Sequence, residues 1–334
     1  MRRSRTFVVH VPNSQSKSCW PLDWAVGACV AADGAGETVN PPSLFLRFPD
    51  RPNARIITLP AHLGGDDAVT GMKWVASFPD NIVQGIPRAS AVLLLNHPDT
   101  GYPFACVEGS IISAARTAAS AALGAFWLNG RRKTVDCLGI IGTGLIARYI
   151  FEFMIGAGWQ IGRLMIFDAR RDYAERFKEN TDSHHYPEVD IAESAEALIK
   201  ASGMTVFATT AATPYITDQR AFDHNPKLLH ISLRDLAPEI ILRSDNIVDD
   251  IDHCLTANTS PHLAERQSGG RAFITGTLHD LMTGKVEPRG DRPVILTPFG
   301  MGILDVAVGK YVFDRAVATD RHIPVDDFFY ERTR

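Results

Sequence analysis

The sequence predicts an α/β protein of two domains. Three observations carry this. After residue 133, fully apolar runs alternate with helical stretches. The first of those runs ends in a glycine-rich turn. Residues 1–130 have another texture, short strand-like runs closed by an Ala-rich helix. A chain of 334 residues exceeds what one ordinary core serves and suits two.

In the first part, SLFLRF (43–48), RIITLP (55–60), MKWVASF (72–78), SAVLLLN (90–96) and PFACVEG (103–109) are short and apolar, punctuated by Pro, Gly, Asn and Asp, and predict strands. Segment 110–128, SIISAARTAASAALGAFWL, is helical by propensity. The charged break RRK (131–133) opens the second part. VDCLGII (135–141) predicts a buried parallel strand, and LIARYIFEFMIGAG (145–158) a helix closing at Gly158. RLMIFD (163–168), MTVFATT (204–210), KLLHISL (227–233) and NIVDD (246–250) continue the strands, with helical stretches between some of them. In the tail, GILDVAVGKYVFDRAVA (302–318) has apolar residues three and four apart, the pattern of an amphipathic helix that packs back on the first domain. The expected domains are therefore 1–130, completed by 302–334, and 131–301.

Composition excludes several classes. Hydrophobic residues at 45% and charged residues at 22% make a globular balance rather than a disordered one. A net charge of −4 gives no support to nucleic-acid binding, so an anionic ligand must be met by local Arg and Lys. The basic start lacks the apolar run of a signal peptide, and no apolar stretch is expected to span a membrane. Cys19, Cys29, Cys106, Cys137 and Cys254 show no CxxC spacing and read as reduced thiols of a cytoplasmic protein. The histidines form no HExxH and no paired ligand spacing, His184-His185 reads as solvated, and no metal is expected. There is no G-x-S-x-G nucleophile turn.

Strand 135–141 runs into Gly142-Thr143-Gly144-Leu145-Ile146-Ala147, a G-x-G-x-x-A turn before a helix. Gly142 permits the tight turn, Gly144 lets backbone approach a pyrophosphate, and Ala147 lets helix and strand pack closely. Asp168 follows Ala147 by about 20 residues at the end of the next strand, where an acid takes ribose hydroxyls. Together these predict a Rossmann dinucleotide-binding domain with NAD as cofactor. Arg170 and Arg171 lie just beyond and would suit a 2′-phosphate, so NADP stays open. Thr209, Thr210 and Ser232 lie at the carboxyl ends of later strands and are assigned to the same cofactor edge.

In the first domain, Arg47, Lys73 and Arg116 are each set among apolar residues, and Arg116 is the one charge in helix 110–128. Such cations are rarely buried without partners. They point either to a carboxylate-rich ligand or to three unrelated ion pairs or exposed strand ends.

In order along the chain, PPSLFLR, LPAHLGG, GMKWVASFPDN, SAARTAASAAL, GIIGTGLIAR, IFDAR and FGMGILDVA resemble the ornithine cyclodeaminase/μ-crystallin family, over nearly the whole chain. The resemblance implies that the first domain is an α+β substrate-binding and dimerisation domain and that the protein is a homodimer. It implies that Arg47, Lys73 and Arg116 hold a substrate carboxylate. It also implies that Asp235, in HISLRDLAPEI, serves as acid/base, with Lys73 helping water attack. The stretch HISLRDLAPEIILRSDNIVDDIDHCLTANTSPHLAE resembles one branch, the dehydrogenases of 2,3-diaminopropionate biosynthesis in siderophore and peptide-antibiotic pathways. That branch implies oxidative C–N cleavage of N-[(2S)-2-amino-2-carboxyethyl]-L-glutamate to L-2,3-diaminopropionate and 2-oxoglutarate. True cyclodeaminases carry E-x-M-P at the second substrate strand; here the residues are Ile57-Thr58-Leu59-Pro60, and the Glu that places water is missing. The alternatives within the family are ornithine cyclodeaminase, ketimine reductase and alanine dehydrogenase. The alternative of another class is a nucleotide-dependent binding protein without turnover, of μ-crystallin type.

Overall fold

A computed structural model describes residues 5–9, 22–65, 68–181 and 188–329. His184, His185 and Cys19 lie outside the described residues. The strands in chain order are β1 (Arg5–Val9), β2 (Thr38–Val39), β3 (Leu44–Phe48), β4 (Arg51–Leu63), β5 (Val69–Ser77), β6 (Ala89–Asn96) and β7 (Pro103–Glu108). There follow β8 (Thr134–Ile141), β9 (Gln160–Phe167), β10 (Glu188–Ile191), β11 (Met204–Phe207), β12 (Lys227–His230), β13 (Asp245–Val248), β14 (Ile274–Thr277), β15 (Val294–Thr297) and β16 (Ile323–Asp326). The chain folds into two compact units, Met1–Arg116 with Met301–Arg334, and Thr117–Gly300. The division falls within the helix Ser110–Leu128.

The first unit is an α+β fold on one sheet, ordered β16-β1-β7-β6-β5-β4-β2, with β3 also on β4. Its pairs are antiparallel except β1 with β7. Alternation along the strands decides which residues go inside. Leu59 on β4, Lys73 on β5, Leu93 on β6 and Val107 on β7 lie in one cross-strand row, and all four are buried. The helix Gly302–Ala318 packs on β4, β5 and β6. Its first residue must be small, because a Cβ on Gly302 would stand 3.0 Å from the Leu59 carbonyl oxygen. This close approach lets Asp305, in the first turn of that helix, reach the lysine of the neighbouring strand. Pro60, inside β4, lacks an N–H; β3 covers β4 only to Thr58 and β2 only from His62, so the missing donor falls in the gap between them.

The second unit is an eight-stranded, wholly parallel sheet of order β10-β9-β8-β11-β12-β15-β13-β14. β11, β13 and β15 are buried along their full length, as strands covered on both faces must be. Phe207, Phe222, Leu228, Leu236, Ile240 and Ile295 form the centre of one core cluster. Strand order reverses beside β8, and ligands of such sheets bind at the carboxyl ends there. The fold class expected from sequence is thus the one observed. Strands 204–210 and 227–233 end earlier than expected, at Phe207 and His230, so Thr209, Thr210 and Ser232 sit in the turns beyond.

The expectation that no stretch is long and apolar enough to span a membrane needs a correction. Among the described residues the helix Ser110–Leu128 is, but 61% of its apolar window is buried inside the protein, as in a core helix.

Candidate active site

In the first unit, Lys73 points to the side of the sheet that the helix Gly302–Ala318 covers. Its Nζ lies 2.6 Å from Asp305 Oδ2 and donates to the Ser113 hydroxyl at 3.3 Å. Arg116 donates from Nε to Asp305 Oδ1 at 3.0 Å. The carboxylate that unites the two predicted cations is itself fully buried, at 0% exposure. Lys73, Arg116 and Asp305 together carry one net positive charge. Burial, with Arg116 beside it, lowers Lys73 from 10.5 to about 8, even though Asp305 works in the opposite direction. A lysine titrating there is matched to proton transfer near neutral pH.

Arg47 is placed differently. It is exposed on β3, its guanidinium 5.0 Å from the Phe45 ring centre. It pairs with Arg55 on β4, four residues from Leu59, the partner of Lys73. At ~3.3 Å per residue that is roughly 13 Å along the strand. Arg47, Arg55 and Lys73 share one face of the sheet by register, but the structure brings only Lys73 and Arg116 into one contact group. Ile57 on β4 lies opposite Val75 on β5.

In the second unit, Gly142 adopts φ +86°, and a Cβ there would stand 2.7 Å from the Ala208 carbonyl oxygen, so the turn admits only glycine. Gly144 begins the helix Leu145–Gly156 without a side-chain cap, and nothing lies within 4 Å of where its Cβ would be. Helix amides and open space therefore meet at one point, which is what a pyrophosphate needs. Leu145 is exposed and Ile146 half-buried beside it, while Ala147 is packed inside. Asp168 Oδ2 accepts from the Thr143 backbone N–H at 2.8 Å and from its hydroxyl at 3.0 Å, and Oδ1 accepts from the Arg170 N–H at 2.9 Å. A carboxylate offers about four acceptor positions, so three bonds leave room for a ribose hydroxyl. These residues fit a dinucleotide.

Asp235 lies at the end of a turn strained at Leu233, φ +74°. Its carboxylate is fully buried and accepts from the hydroxyls of Thr209 and Ser232, each at 2.5 Å. His230 Nε2 lies 3.2 Å from Oδ2, and the Asp235 backbone N–H donates to the same nitrogen at 3.1 Å. Burial pushes this carboxyl up, but His230, Ser232 and Thr209 outweigh it and hold it below its ordinary value. Thr209 and Ser232, assigned from sequence to the cofactor, thus have their hydroxyls on Asp235; Thr210 is exposed. Tyr215 faces the same carboxylate, and partial burial together with Asp235 pushes its phenol up.

Asp305, His230 and Tyr215 were missed in the sequence. The signal for Asp305 was present: it is an acid in the apolar run GILDVAVG, the same anomaly that singled out Arg116. His230 within the apolar LLHIS is a weaker form of it. Among the described residues no group of three or more His, Cys, Asp or Glu side chains is placed to hold a metal.

The model of the ornithine cyclodeaminase/mu-crystallin family matches residues 25–320. The chain belongs to that family. It is 30% identical over 269 residues to N-((2S)-2-amino-2-carboxyethyl)-L-glutamate dehydrogenase of Staphylococcus aureus, a match covering 78% of this chain and 79% of that protein. It is 27% identical over 293 residues to alanine dehydrogenase of Archaeoglobus fulgidus, covering 85% and 86%. Among solved structures, Δ1-pyrroline-2-carboxylate reductase of Thermococcus litoralis, in complex with NADH and L-proline, superposes with a TM-score of 0.86 at 22% identity, covering 96% of this chain and all of that one (100%).

Proposed function

We propose that this protein is an NAD-dependent dehydrogenase acting on the CH–NH bond of an amino-acid derivative that carries several carboxylates. The observation that carries this is the buried Lys73–Asp305–Arg116 group, cationic overall, in a chain whose other unit holds a dinucleotide turn with an acid at the ribose position. The substrate favoured is N-[(2S)-2-amino-2-carboxyethyl]-L-glutamate, split to L-2,3-diaminopropionate and 2-oxoglutarate for a siderophore or peptide antibiotic. The relative from Staphylococcus aureus supports it. The apolar Ile57 in place of the cyclodeaminase Glu weighs against ornithine cyclisation.

The Gly142–Gly144 turn and Asp168 would hold NAD, which would supply the two-electron oxidation of the glutamate-side C–N bond as a hydride acceptor. The remaining work falls to side chains. Arg116, its Nε tied to Asp305, presents its terminal nitrogens to a substrate carboxylate in a planar fork. Arg47, exposed further along the same sheet face, suits a second carboxylate. Hydride loss leaves a protonated imine, which keeps the nitrogen proton; water adds to it, and the carbinolamine collapses to keto acid and amine as its hydroxyl proton leaves to solvent. Lys73, poised near pH 8, takes the proton of the attacking water and returns it to the leaving amine. Asp235 is too well supplied with donors to be the stronger base and acts by holding Thr209, Ser232 and Tyr215 in place. The buried Lys73, Arg116, Asp305 and Asp235 favour an enzyme over a binding protein without turnover.

The test is to incubate the purified protein with NAD and the glutamate–diaminopropionate conjugate while following NADH absorbance, with chromatography of the products. NADH formation with 2-oxoglutarate and the diamino acid is expected. If alanine or ornithine is turned over and the conjugate is not, the substrate reading falls.

A further inference from the structure

We infer that Asp172 is a second determinant of dinucleotide choice, acting by holding Arg170 and Arg176 away from the 2′-phosphate of NADP. The inference rests on the dinucleotide reading above and concerns residues beyond the ribose acid. A pair of arginines just past such an acid is what a 2′-phosphate would use. The backbone N–H of Arg170 is already on Asp168 itself, so its side chain leaves the chain beside the ribose position. Its guanidinium, however, is taken. Nε donates to Asp172 Oδ1 at 3.1 Å and Nη2 to Oδ2 at 2.9 Å, the two-pronged geometry that would serve a phosphate. Arg176 donates to the same Oδ2 at 3.0 Å. The Tyr173 ring lies under both cations, with its centre 4.4 Å from the Arg170 guanidinium and 5.3 Å from that of Arg176. Arg171 is engaged elsewhere, on Glu175 at 3.0 Å.

Charge accounting gives the consequence. Asp168, Arg170, Asp172 and Arg176 sum to zero, so the turn as built offers no net attraction to a phosphate dianion. Without Asp172 the same group carries one net positive charge and two guanidiniums that lack a carboxylate. Selection against the 2′-phosphate is therefore electrostatic, with Asp168 repelling it directly and Asp172 occupying the cations that would bind it.

The test uses the full chain and calorimetric titration with NAD, NADP and 2′,5′-ADP at low salt. For exposed ion pairs the expected gain is modest. Asp172→Asn should leave NAD affinity within about twofold and raise 2′,5′-ADP affinity about five- to tenfold, with NADP following, and the gain should shrink as salt is added. Adding Arg170→Ala to Asp172→Asn should erase most of it. Unchanged 2′,5′-ADP affinity in Asp172→Asn, with NAD still bound, would overturn the inference alone. A gain that survives both Arg170→Ala and Arg176→Ala would overturn it too. A parent protein that binds no dinucleotide would instead sink the reading on which the inference rests.

Discussion

Asp305→Asn tests the assignment of the first-unit centre most directly, because the change keeps the shape of the side chain and removes only its charge. In the parent, one buried carboxylate faces two buried cations, at 2.6 Å from Lys73 and 3.0 Å from Arg116. With Lys73 protonated, removing the charge takes the group from +1 to +2 at a buried position. Unit charges about 4 Å apart interact by ~4 kcal/mol at an effective dielectric near 20. Breaking a buried pair by deleting one partner costs ~3–5 kcal/mol. Urea unfolding near neutral pH should therefore show a stability loss of that order.

The loss should also depend on pH, in a stated direction. Asp305 raises Lys73 relative to what burial and Arg116 alone would give, and the result is about 8. The Asp305–Lys73 coupling is thus present in full while Lys73 is protonated and is lost as pH rises through about 8. The variant should lose more stability near pH 7 than near pH ~9.5, where only the Arg116 contact distinguishes it from the parent. A loss under ~1 kcal/mol, or one that is the same at both pH values, would refute the view that Lys73 and Asp305 form a coupled buried pair.

Three further outcomes follow from the remaining features. Asp168→Ala should narrow the preference for NAD over NADP in calorimetry; a parent with equal affinity for both would remove Asp168 from the ribose role. Asp235→Asn keeps the shape and should leave NAD binding intact while lowering turnover by roughly 10²-fold, the size of a lost positioning contribution. If Lys73 is the proton carrier, the pH profile of the residual activity should keep its inflection near 8, and a profile that loses that inflection would return the role to Asp235. Finally, Leu44, Trp74 and Val92 lie in one cross-strand row through Thr58, on the sheet face opposite Lys73, and are 68%, 40% and 40% exposed. We propose that a second copy of the chain covers this row. Sedimentation should show a dimer that Trp74→Glu converts to monomer; a monomeric parent, or a variant that stays dimeric, would place the interface elsewhere.

Much of this architecture is legible in the sequence where one physical signal dominates. The helix Ser110–Leu128 and the tail helix Gly302–Ala318 fall on their expected boundaries, because an Ala-rich run and an apolar stripe at three- and four-residue spacing leave no competing period. The glycine turn is legible because backbone geometry demands it: only glycine fits at φ +86° against Ala208. β4 is the instructive failure. RIITLP covers under half of Arg51–Leu63, since Pro52 and Pro60 read as breaks. Those prolines are tolerated because partner strands cover β4 piecewise, and that is a fact of pairing rather than of local propensity.

The site shows the same division between local and non-local information. Lone cations in apolar surroundings singled out Arg47, Lys73 and Arg116, and the structure buries Lys73 and Arg116 on one carboxylate while Arg47 is exposed; burying a charge has few solutions and each leaves a trace in composition. What the trace could not say is which acid completes the group, since Asp305 lies 189 residues from Arg116. Nor could it weigh proton carriers against each other. Asp235 and Lys73 are equal candidates as letters. They separate once their neighbours are known, because the Thr209 and Ser232 hydroxyls, with His230 beside them, hold one below its ordinary value while burial and a nearby guanidinium bring the other to about 8. A carboxylate already supplied with hydrogen bonds gains little by taking a proton from water. A buried lysine near its midpoint can both take and give one, and that is why we propose Lys73 for the chemistry and Asp235 for the positioning.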